Sequence, residues 1–292
     1  MTINNITIIG SGNLGTRIGL QAAVSGYRVT FFDLNEKAFE SSRTTIAKIL
    51  KYLVHSNKIS KSEISEINAR MRFTTILSDA VQDADLISES VTEDLIIKQK
   101  AWTEIGTLAP ANTIFTTNTS YLLPSQLAHY SGRPEKFCAF HFHDVFYSRI
   151  VDIMPHAGTD PALIPLLEEV GKKLNQVPVL VKKETPGYIF NSMLMAVIGE
   201  AARLLTQELA SIHYIDKSWM VNFNMPAGPF GIMDNIGLDT AWHVVKERKD
   251  VNSIAFASML KTYIDQGKLG EKSGEGFYKY PDPEYKREEF ER

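Results

Sequence analysis

The sequence predicts an α/β fold in which a doubly wound parallel sheet is followed by a second, all-helical C-terminal domain. Over the first half, short apolar runs alternate with longer amphipathic stretches, which is typical of parallel strands covered by helices on both faces. After Pro186-Gly187 the apolar residues recur at helical spacing, and no strand-like run follows before the tail. A chain of 292 residues with 44% hydrophobic side chains is long enough for two packed domains. We therefore predict domains over residues 1–184 and 185–292.

The elements of the first domain follow from this alternation. Runs rich in β-branched and aromatic residues predict strands, and in chain order these are Ile6–Gly10, Arg28–Asp33, Asp85–Ser90, Thr113–Asn118, Phe137–Phe142, Val151–Met154 and Val177–Lys183. The longer stretches between them predict helices at Leu14–Ser25, Asn35–Val54, Asp94–Leu108 and Ala162–Leu174. We expect the strands to form one parallel sheet.

The composition excludes several classes of partner. A net charge of -3 is too small and too mixed for a nucleic-acid surface. No apolar run approaches the roughly 20 residues that span a bilayer, and the N-terminus has no signal-peptide pattern. The single cysteine, Cys138, cannot form an internal disulfide, which fits a reducing compartment. We predict a cytoplasmic protein that binds neither nucleic acid nor membrane, and we predict no metal site.

The loop that joins the first strand to the first helix carries the pattern G-x-G-x-x-G, at Gly10, Gly12 and Gly15. Here one glycine makes the tight turn, the next lets the backbone approach a pyrophosphate, and the last lets helix and strand pack closely. The second strand ends in Asp33, where a carboxylate can accept hydrogen bonds from a ribose diol. Glycines alone also fit a turn that binds nothing, but the acidic residue favours a Rossmann-type dinucleotide site. No arginine directly follows Asp33, which favours NAD over NADP.

A histidine and a serine lie at the ends of two predicted strands. His141 falls near the carboxyl end of the strand 137–142, and Ser120 follows directly on the strand 113–118. In open parallel sheets ligands bind at this edge, and histidine is suited to take a hydroxyl proton near neutral pH. From these stretches alone, His141 as a satisfied core residue and Ser120 as a helix cap fit equally well.

Seven stretches in a fixed order add a further signal, namely IIGSGNLG with FFD, SESVTEDL, TTNTSYL, RPEKFCAFHF, TPGYIFNSML, MPAGPFGIMDNIGLDT and GEKSGEGFYKY. Together they resemble the 3-hydroxyacyl-CoA dehydrogenase family, in particular its short-chain and 3-hydroxybutyryl-CoA members. The resemblance implies an NAD-dependent oxidoreductase of fatty acid metabolism, which transfers hydride between C3 of a 3-hydroxyacyl-CoA and NAD. It also implies a homodimer formed by the helical domain.

The resemblance assigns roles to individual residues. It implies that His141 is the general base, that Asp152 orients it, and that Ser120 and Asn191 lie beside the substrate oxygen. The residues that it and the glycine pattern together place at the cofactor are Gly10, Gly12, Asn13, Leu14, Gly15, Asp33, Glu93, Lys98, Ser120, Asp144 and Lys272.

Two departures from the family pattern fall beside the histidine. The family continues from it with Phe-Phe-Asn-Pro, whereas this chain has Phe142-His143-Asp144-Val145. The family's glutamate partner aligns with Asp152, which is shorter by one carbon–carbon bond, about 1.5 Å, and the intervening segment is one residue shorter. Either the two changes compensate each other, or His143 or Asp144 takes over part of the role.

The sequence is compatible with two classes of substrate, a CoA ester and a CoA-free hydroxy acid. Lysines of the region 37–61, among them Lys48 and Lys51 on one helix face, fit the phosphates of CoA but also fit a solvated surface. The altered loop after His141, with Arg149 available for a carboxylate, fits a CoA-free 3-hydroxy acid such as a carnitine- or sugar-acid-like compound. A third hypothesis is a catalytically weak dinucleotide-binding dimer.

Overall fold

The computed structural model describes residues 2–246 and 249–290. By backbone contacts the chain divides into two compact units, Met1–Ile189 and Phe190–Arg292. Among the described residues, no helix combines the length and the apolar character needed to cross a membrane. The first unit carries all the strands, and the second is built of helices and an irregular tail.

The first unit contains one eight-stranded sheet in the order β3-β2-β1-β4-β5-β6-β7-β8. The strands are β1 Asn5–Ile9, β2 Arg28–Phe32, β3 Met71–Thr74, β4 Leu86–Glu89, β5 Ile114–Thr117, β6 Phe137–Phe142, β7 Ile150–Pro155 and β8 Val177–Leu180. Six of the seven neighbouring pairs are parallel, as predicted. The expectation of an entirely parallel sheet is wrong at β6 and β7, which pair antiparallel. The segment 143–149 is shorter than the dozen or so residues that a parallel crossover needs.

Six α-helices of the described residues cover this sheet, and they are α1 Asn13–Val24, α2 Glu36–His55, α3 Glu63–Ala69, α4 Leu77–Val81, α5 Leu95–Leu108 and α6 Leu163–Lys173. Two of them begin at side-chain caps, since Asn35 accepts a hydrogen bond from the N–H of Lys37 and Asp94 from that of Ile97. The sequence prediction missed β3, α3 and α4. These elements are short, and β3 is an edge strand without fully buried residues, so neither periodicity nor an apolar run marks them.

The described residues of the second unit form five α-helices, namely α7 Phe190–Thr206, α8 Ile212–Phe223, α9 Pro229–Ile236, α10 Leu238–Val245 and α11 Val251–Asp265. Its core is apolar and includes Phe230, Met233 and Leu260. The described part of the tail after α11 forms short 3-10 helices and isolated bridges but no strand, which agrees with the predicted all-helical second domain.

Two buried carboxylates tie the tail of this unit to its helices. Asp216 in α8 accepts hydrogen bonds of 2.9 Å from two backbone N–H groups at the start of α9 and from the hydroxyl of Tyr278. Asp234 in α9 accepts bonds of 2.9 Å from two backbone N–H groups of the tail and one of 3.1 Å from the hydroxyl of Tyr280. Both oxygens of each carboxylate are therefore engaged.

Candidate active site

The glycine loop between β1 and α1 has the geometry of a phosphate cradle. Gly10 has a positive φ of 99°, and a Cβ there would lie 2.7 Å from the backbone oxygen of Ser90. A Cβ on Gly15 would lie 2.1 Å from the backbone oxygen of Gly10, whereas one on Gly12 would meet nothing within 4 Å. Gly12 thus leaves the backbone open to a ligand, at a helix N-terminus that no side chain caps. This arrangement fits a pyrophosphate.

A cavity of about 700 Å³ lies beside this loop, and its lining includes Gly10, Gly12, Asp33, Leu34 and Ser90. The Asp33 carboxylate accepts hydrogen bonds from the N–H groups of Ser11, at 2.9 Å, and of Asn35, at 3.2 Å. Each of its oxygens keeps a second lone pair for a ribose hydroxyl. Asn13, Leu14 and Gly15 form the first turn of α1. The residues present therefore fit NAD.

The predicted base and its partner meet across the antiparallel pair. His141 on β6 stands opposite Asp152 on β7 in the strand register, and its Nδ1 lies 3.1 Å from Oδ2 of Asp152. Its Nε2 lies 3.2 Å from Oγ of Ser120. Ser120 caps no helix, because the next one is a short 3-10 helix that starts after Leu123. The short segment 143–149 and the cross-strand register together bring the shorter acid within reach of the histidine.

A second histidine binds the same carboxylate. His143 Nε2 lies 2.7 Å from Oδ2 of Asp152, whereas Oδ1 of Asp152 is buried without a hydrogen-bond partner among the described residues. The ligand-type atoms of His141, His143 and Asp152 lie within 4.8 Å of one another, close enough in principle for a metal ion. Both ring nitrogens approach one oxygen, as hydrogen-bond donors do, and the absence of a metal stays a prediction.

Burial and hydrogen bonding set the charges in this cluster. Burial lowers the pKa of His141, and the hydrogen bond to Asp152 opposes this only in part, so that the pKa lies below its ordinary value. Burial raises the pKa of Asp152, but hydrogen bonds from His141 and His143 outweigh it and hold that pKa below its ordinary value. The resting pair is therefore a neutral imidazole beside a carboxylate, as a general base requires.

An aromatic ring holds the imidazole from one side. The ring of Tyr188 stacks on His141 with centroids 4.5 Å apart and planes inclined by 2°. Its hydroxyl donates a 2.8 Å hydrogen bond to the backbone oxygen of Thr119, next to Ser120. Tyr188 adopts a positive φ of 52°, directly after Gly187. The sequence prediction missed this residue, because no local pattern links position 188 to a strand so far away in the chain.

The loop that carries Ser120 rests on Glu93, whose carboxylate accepts hydrogen bonds from the N–H groups of Ser120, at 2.9 Å, and Tyr121, at 3.1 Å, and from the hydroxyl of Thr119. Lys98 lies beneath this loop, 1% exposed, with its Nζ 2.6 Å from Glu89 and 3.4 Å from Glu93. Glu93 and Lys98 thus support the serine loop. Their predicted proximity to the cofactor stays a prediction.

Asp144, which belongs to the first departure from the family pattern, is neutralised by an arginine. Arg17 in α1 lies 2.9 Å from one Asp144 oxygen and 3.1 Å from the other. The same carboxylate accepts hydrogen bonds of 2.9 Å from the N–H groups of Phe146 and Tyr147. Asp144 therefore anchors the loop 143–149 to the helix that follows the glycine loop, and its contact with the cofactor stays a prediction.

Two other predicted residues, Arg149 and Lys272, have side-chain partners, and a third, Asn191, is placed by its helix. Arg149 donates a 2.9 Å hydrogen bond to Asn175. Lys272 pairs with Asp239 at 2.6 Å in the second unit, and Asn191 lies at the start of α7 in that unit. The roles of Asn191 at the substrate and of Lys272 at the cofactor stay predictions.

Comparison with known proteins identifies the family. The family model described as 3-hydroxyacyl-CoA dehydrogenase, NAD binding domain, matches residues 5–185. The one described as 3-hydroxyacyl-CoA dehydrogenase, C-terminal domain, matches residues 187–280. This chain belongs to the 3-hydroxyacyl-CoA dehydrogenase family. It is accordingly an NAD-dependent oxidoreductase, as the glycine loop and Asp33 predicted.

Individual 3-hydroxyacyl-CoA dehydrogenases and their relatives are similar over almost the full length. A probable 3-hydroxyacyl-CoA dehydrogenase of Caenorhabditis elegans is 34% identical over 95% of this chain and 93% of its own. The structure of a diketoreductase, described for its dual catalysis of dicarbonyl compounds, is 38% identical with a TM-score of 0.89 and covers 96% of this chain and 100% of its own. The (S)-3-hydroxybutyryl-CoA dehydrogenase PaaH1 of Ralstonia eutropha is 29% identical with a TM-score of 0.86 and the same two coverages.

Proposed function

We propose that this protein transfers hydride between C3 of a 3-hydroxyacyl-CoA and NAD, with His141 as the general base. The observation that carries the proposal is the continuous hydrogen-bonded set Ser120–His141–Asp152 at the carboxyl end of β6. It lies in the same unit as a glycine loop that fits NAD. Family membership and the names of its relatives support this reaction.

The chain's own residues handle the proton. When bound, NAD supplies the hydride acceptor, or in its reduced form the donor. The Ser120 hydroxyl and His141 Nε2 converge, so a substrate hydroxyl beside them is bound by one and deprotonated by the other. Asp152 accepts the hydrogen bond from Nδ1, which selects the tautomer with a free Nε2 lone pair and stabilises the imidazolium that forms. In the reverse direction the imidazolium returns the proton to the substrate oxygen.

The CoA ester is supported by the relatives' names and by cations near the site. A cavity of about 370 Å³ in the first unit is lined by Arg17, Lys48, Tyr52 and Tyr147, among others. Lys48 projects from α2, and its charge suits an anionic group of the substrate. A place in fatty acid metabolism follows from this substrate class and is part of the proposal.

A second candidate is a CoA-free 3-oxo or 3-hydroxy compound. The observation that favours it is the similarity to a diketoreductase, whose printed description concerns dicarbonyl compounds. Arg149, which the sequence offered for a carboxylate, already donates to Asn175, and this weakens that hypothesis. A dimer without catalysis has less support, because Ser120, His141 and an acid are all present and bonded.

The decisive experiment follows NADH oxidation by absorbance, with acetoacetyl-CoA and with a panel of CoA-free 3-oxo compounds. We expect rapid turnover of acetoacetyl-CoA and a loss of about 100- to 10,000-fold in His141→Gln, the range typical of a general base. Turnover of CoA-free compounds alone would show that the substrate is not a CoA ester, while the assignment of His141 as the general base would stand. NADH binding without any turnover would leave a dinucleotide-binding protein.

We also propose a homodimer and a cytoplasmic location. Exposed apolar side chains of the second unit support the dimer, among them Met193, Tyr214, Val221 and Phe223, each more than half exposed. Light scattering after gel filtration tests it, and a monomer mass at micromolar concentration would contradict it. The lone cysteine, buried at Cys138, supports a reducing compartment, and fractionation of expressing cells tests the location.

A further inference from the structure

Two histidines share one oxygen of a buried carboxylate in the first unit. His143 follows His141 by two positions, one residue beyond the end of β6, and Asp152 stands opposite His141 in the register. The His143 contact to Asp152 Oδ2, at 2.7 Å, is shorter than the His141 contact, at 3.1 Å. The side chain of His143 is only 8% exposed. This contact is part of the interior of the protein.

The carboxylate depends on these two rings. Both hydrogen bonds end on Oδ2, and the other oxygen of Asp152 has no partner within the described ranges. A buried carboxylate that keeps a single donor is costly, because the lost bond to a charged group is not replaced by water. His143 therefore decides how firmly Asp152 is held beside His141.

We propose that His143 is a positioning residue for the dehydrogenase reaction: it donates its Nε2–H to Asp152, fixes the carboxylate, and competes with His141 for the same oxygen. The proposal rests on the proposed function, in which His141 is the base. It also explains why the two departures from the family pattern occur together. The shorter acid at position 152 gains a second donor from position 143, where the family has phenylalanine.

The competition affects the protonation of His141. Burial lowers the pKa of His141, and a charge on His143 lowers it further. Asp152, by hydrogen bond and charge, and Glu93, by charge, act in the opposite direction. The stacked Tyr188 is neutral, since burial raises its pKa well above its ordinary value. With His143 present, His141 stays an unprotonated base to lower pH than it would beside Asp152 alone.

The test compares three variants. His143→Phe removes the donor and installs the family residue, and His143→Gln keeps a neutral N–H donor near the position of Nε2. His156→Gln is the matched control, because His156 is a half-buried histidine of the same unit whose ring bonds to backbone groups of Pro134 and Gly158. The readouts are kcat, KM for NAD, the pH dependence of kcat/KM for alcohol oxidation, and the imidazole N–H proton resonances in water.

We expect His143→Phe to lower kcat by about 10- to 100-fold, the worth of a hydrogen bond to a charged group, with KM for NAD changed less than about twofold. His143→Gln should recover most of that loss. In both variants the acid limb of kcat/KM should move to higher pH, because the electrostatic effect of His143 that lowers the pKa of His141 is gone. His156→Gln should change neither kcat nor the limb.

The outcomes separate this proposal from the function on which it rests. A loss of activity in His143→Phe at every pH, with an unmoved acid limb in both variants, would show a purely structural role and overturn the proposal. The substrate-free protein should show hydrogen-bonded imidazole N–H resonances from His141 and from His143, and the one from His143 disappears in His143→Gln. If that resonance and the titration of His141 both respond while no hydroxyacyl substrate turns over, the proposed function fails but the coupling of His143 to His141 stands. If neither responds, the coupling itself is wrong.

Discussion

The two units both bury aspartates, but they treat them differently. In the helical unit, Asp216 and Asp234 accept hydrogen bonds on both oxygens from backbone N–H groups and tyrosine hydroxyls, none of which changes charge near neutral pH. In the sheet unit, Asp152 accepts only from two imidazoles, both on one oxygen, and leaves the other without a partner among the described residues. The donors to Asp152 are imidazoles, which can change charge themselves, whereas the donors to Asp216 and Asp234 stay neutral.

The type of hydrogen-bond donor also distinguishes aspartates with a structural role from those with a catalytic role. Backbone donors fix a carboxylate wherever it helps to join two segments, as Asp216 joins α8, α9 and the tail. Imidazole donors cost stability but supply a proton path, and incomplete bonding of buried polar groups is tolerated where function requires it. The bonding pattern of a buried aspartate therefore indicates which of the two purposes it serves.

The largest effect is expected from Asp152→Asn. An amide presents an N–H to Nδ1 of His141 or loses the correct tautomer, so we expect kcat to fall by about 100- to 10,000-fold. Asp216→Asn is the matched control, with kcat per folded molecule within about threefold of the wild type. Steady-state kinetics on both variants checks this. Equal losses of kcat in the two variants would contradict the assignment of a catalytic role to Asp152 and a structural role to Asp216.

A third kind of buried carboxylate is Glu89, which is balanced by a full charge on Lys98. Lys98→Met leaves the buried Glu89 without its counter-charge, with only the Val91 N–H and the Thr117 hydroxyl as donors among the described residues, so we expect the free energy of unfolding to fall by about 3–5 kcal/mol. Lys100→Met removes an exposed lysine from the same helix and should cost less than about 0.5 kcal/mol. Urea unfolding followed by circular dichroism measures both. A small loss for Lys98→Met would mean that Glu89 takes up a proton instead.

The pH dependence of Asp216 gives a smaller effect with a defined sign. Burial raises the pKa of Asp216 from 3.8 to about 6, so this group contributes most stability when protonated and loses that contribution as pH rises from about 4 to about 6. The wild type should therefore become less stable relative to Asp216→Asn across this window, by roughly 3 kcal/mol in total. Thermal unfolding of both proteins at several pH values tests this. A constant difference would contradict the raised pKa.

Removal of metal should have no effect. His141, His143 and Asp152 act here as hydrogen-bonding groups, so dialysis against a chelator should leave kcat unchanged within error. Atomic emission of the purified protein provides the control for bound transition metal. A loss of activity that is restored by added zinc would show that these three residues bind a catalytic metal ion instead of transferring a proton.

Much of the first unit could be predicted from the sequence, because its signals are local. The glycine loop, Asp33 and the strand 137–142 each lie within one short stretch with a clear period or spacing. The elements that were missed, β3, α3 and α4, are too short for periodicity to mark them. The antiparallel turn to β7 depends on the length of the segment 143–149, which the apolar pattern does not report.

The sequence predicted which residues form the candidate site, but it did not predict the contacts between them. The hydrogen bond from His141 to Asp152 depends on cross-strand register, and the stack of Tyr188 on His141 depends on a chain segment distant in sequence. His143 could have been found, since it lies two positions after His141 and strand alternation places both on one face. The pairing of Asp144 with Arg17 had no signal in either stretch alone.

That last pair ties two positions of the chain together. Asp144 replaces an uncharged residue of the family pattern, and Arg17 supplies its counter-charge from the first helix while its guanidinium lies over the rings of Phe146 and Tyr147. A chain that changes one member alone leaves a half-buried charge without its partner. The two positions are therefore expected to vary as a unit, so that the identity of residue 17, beside the glycine loop, reports the identity of residue 144, beside the proposed base.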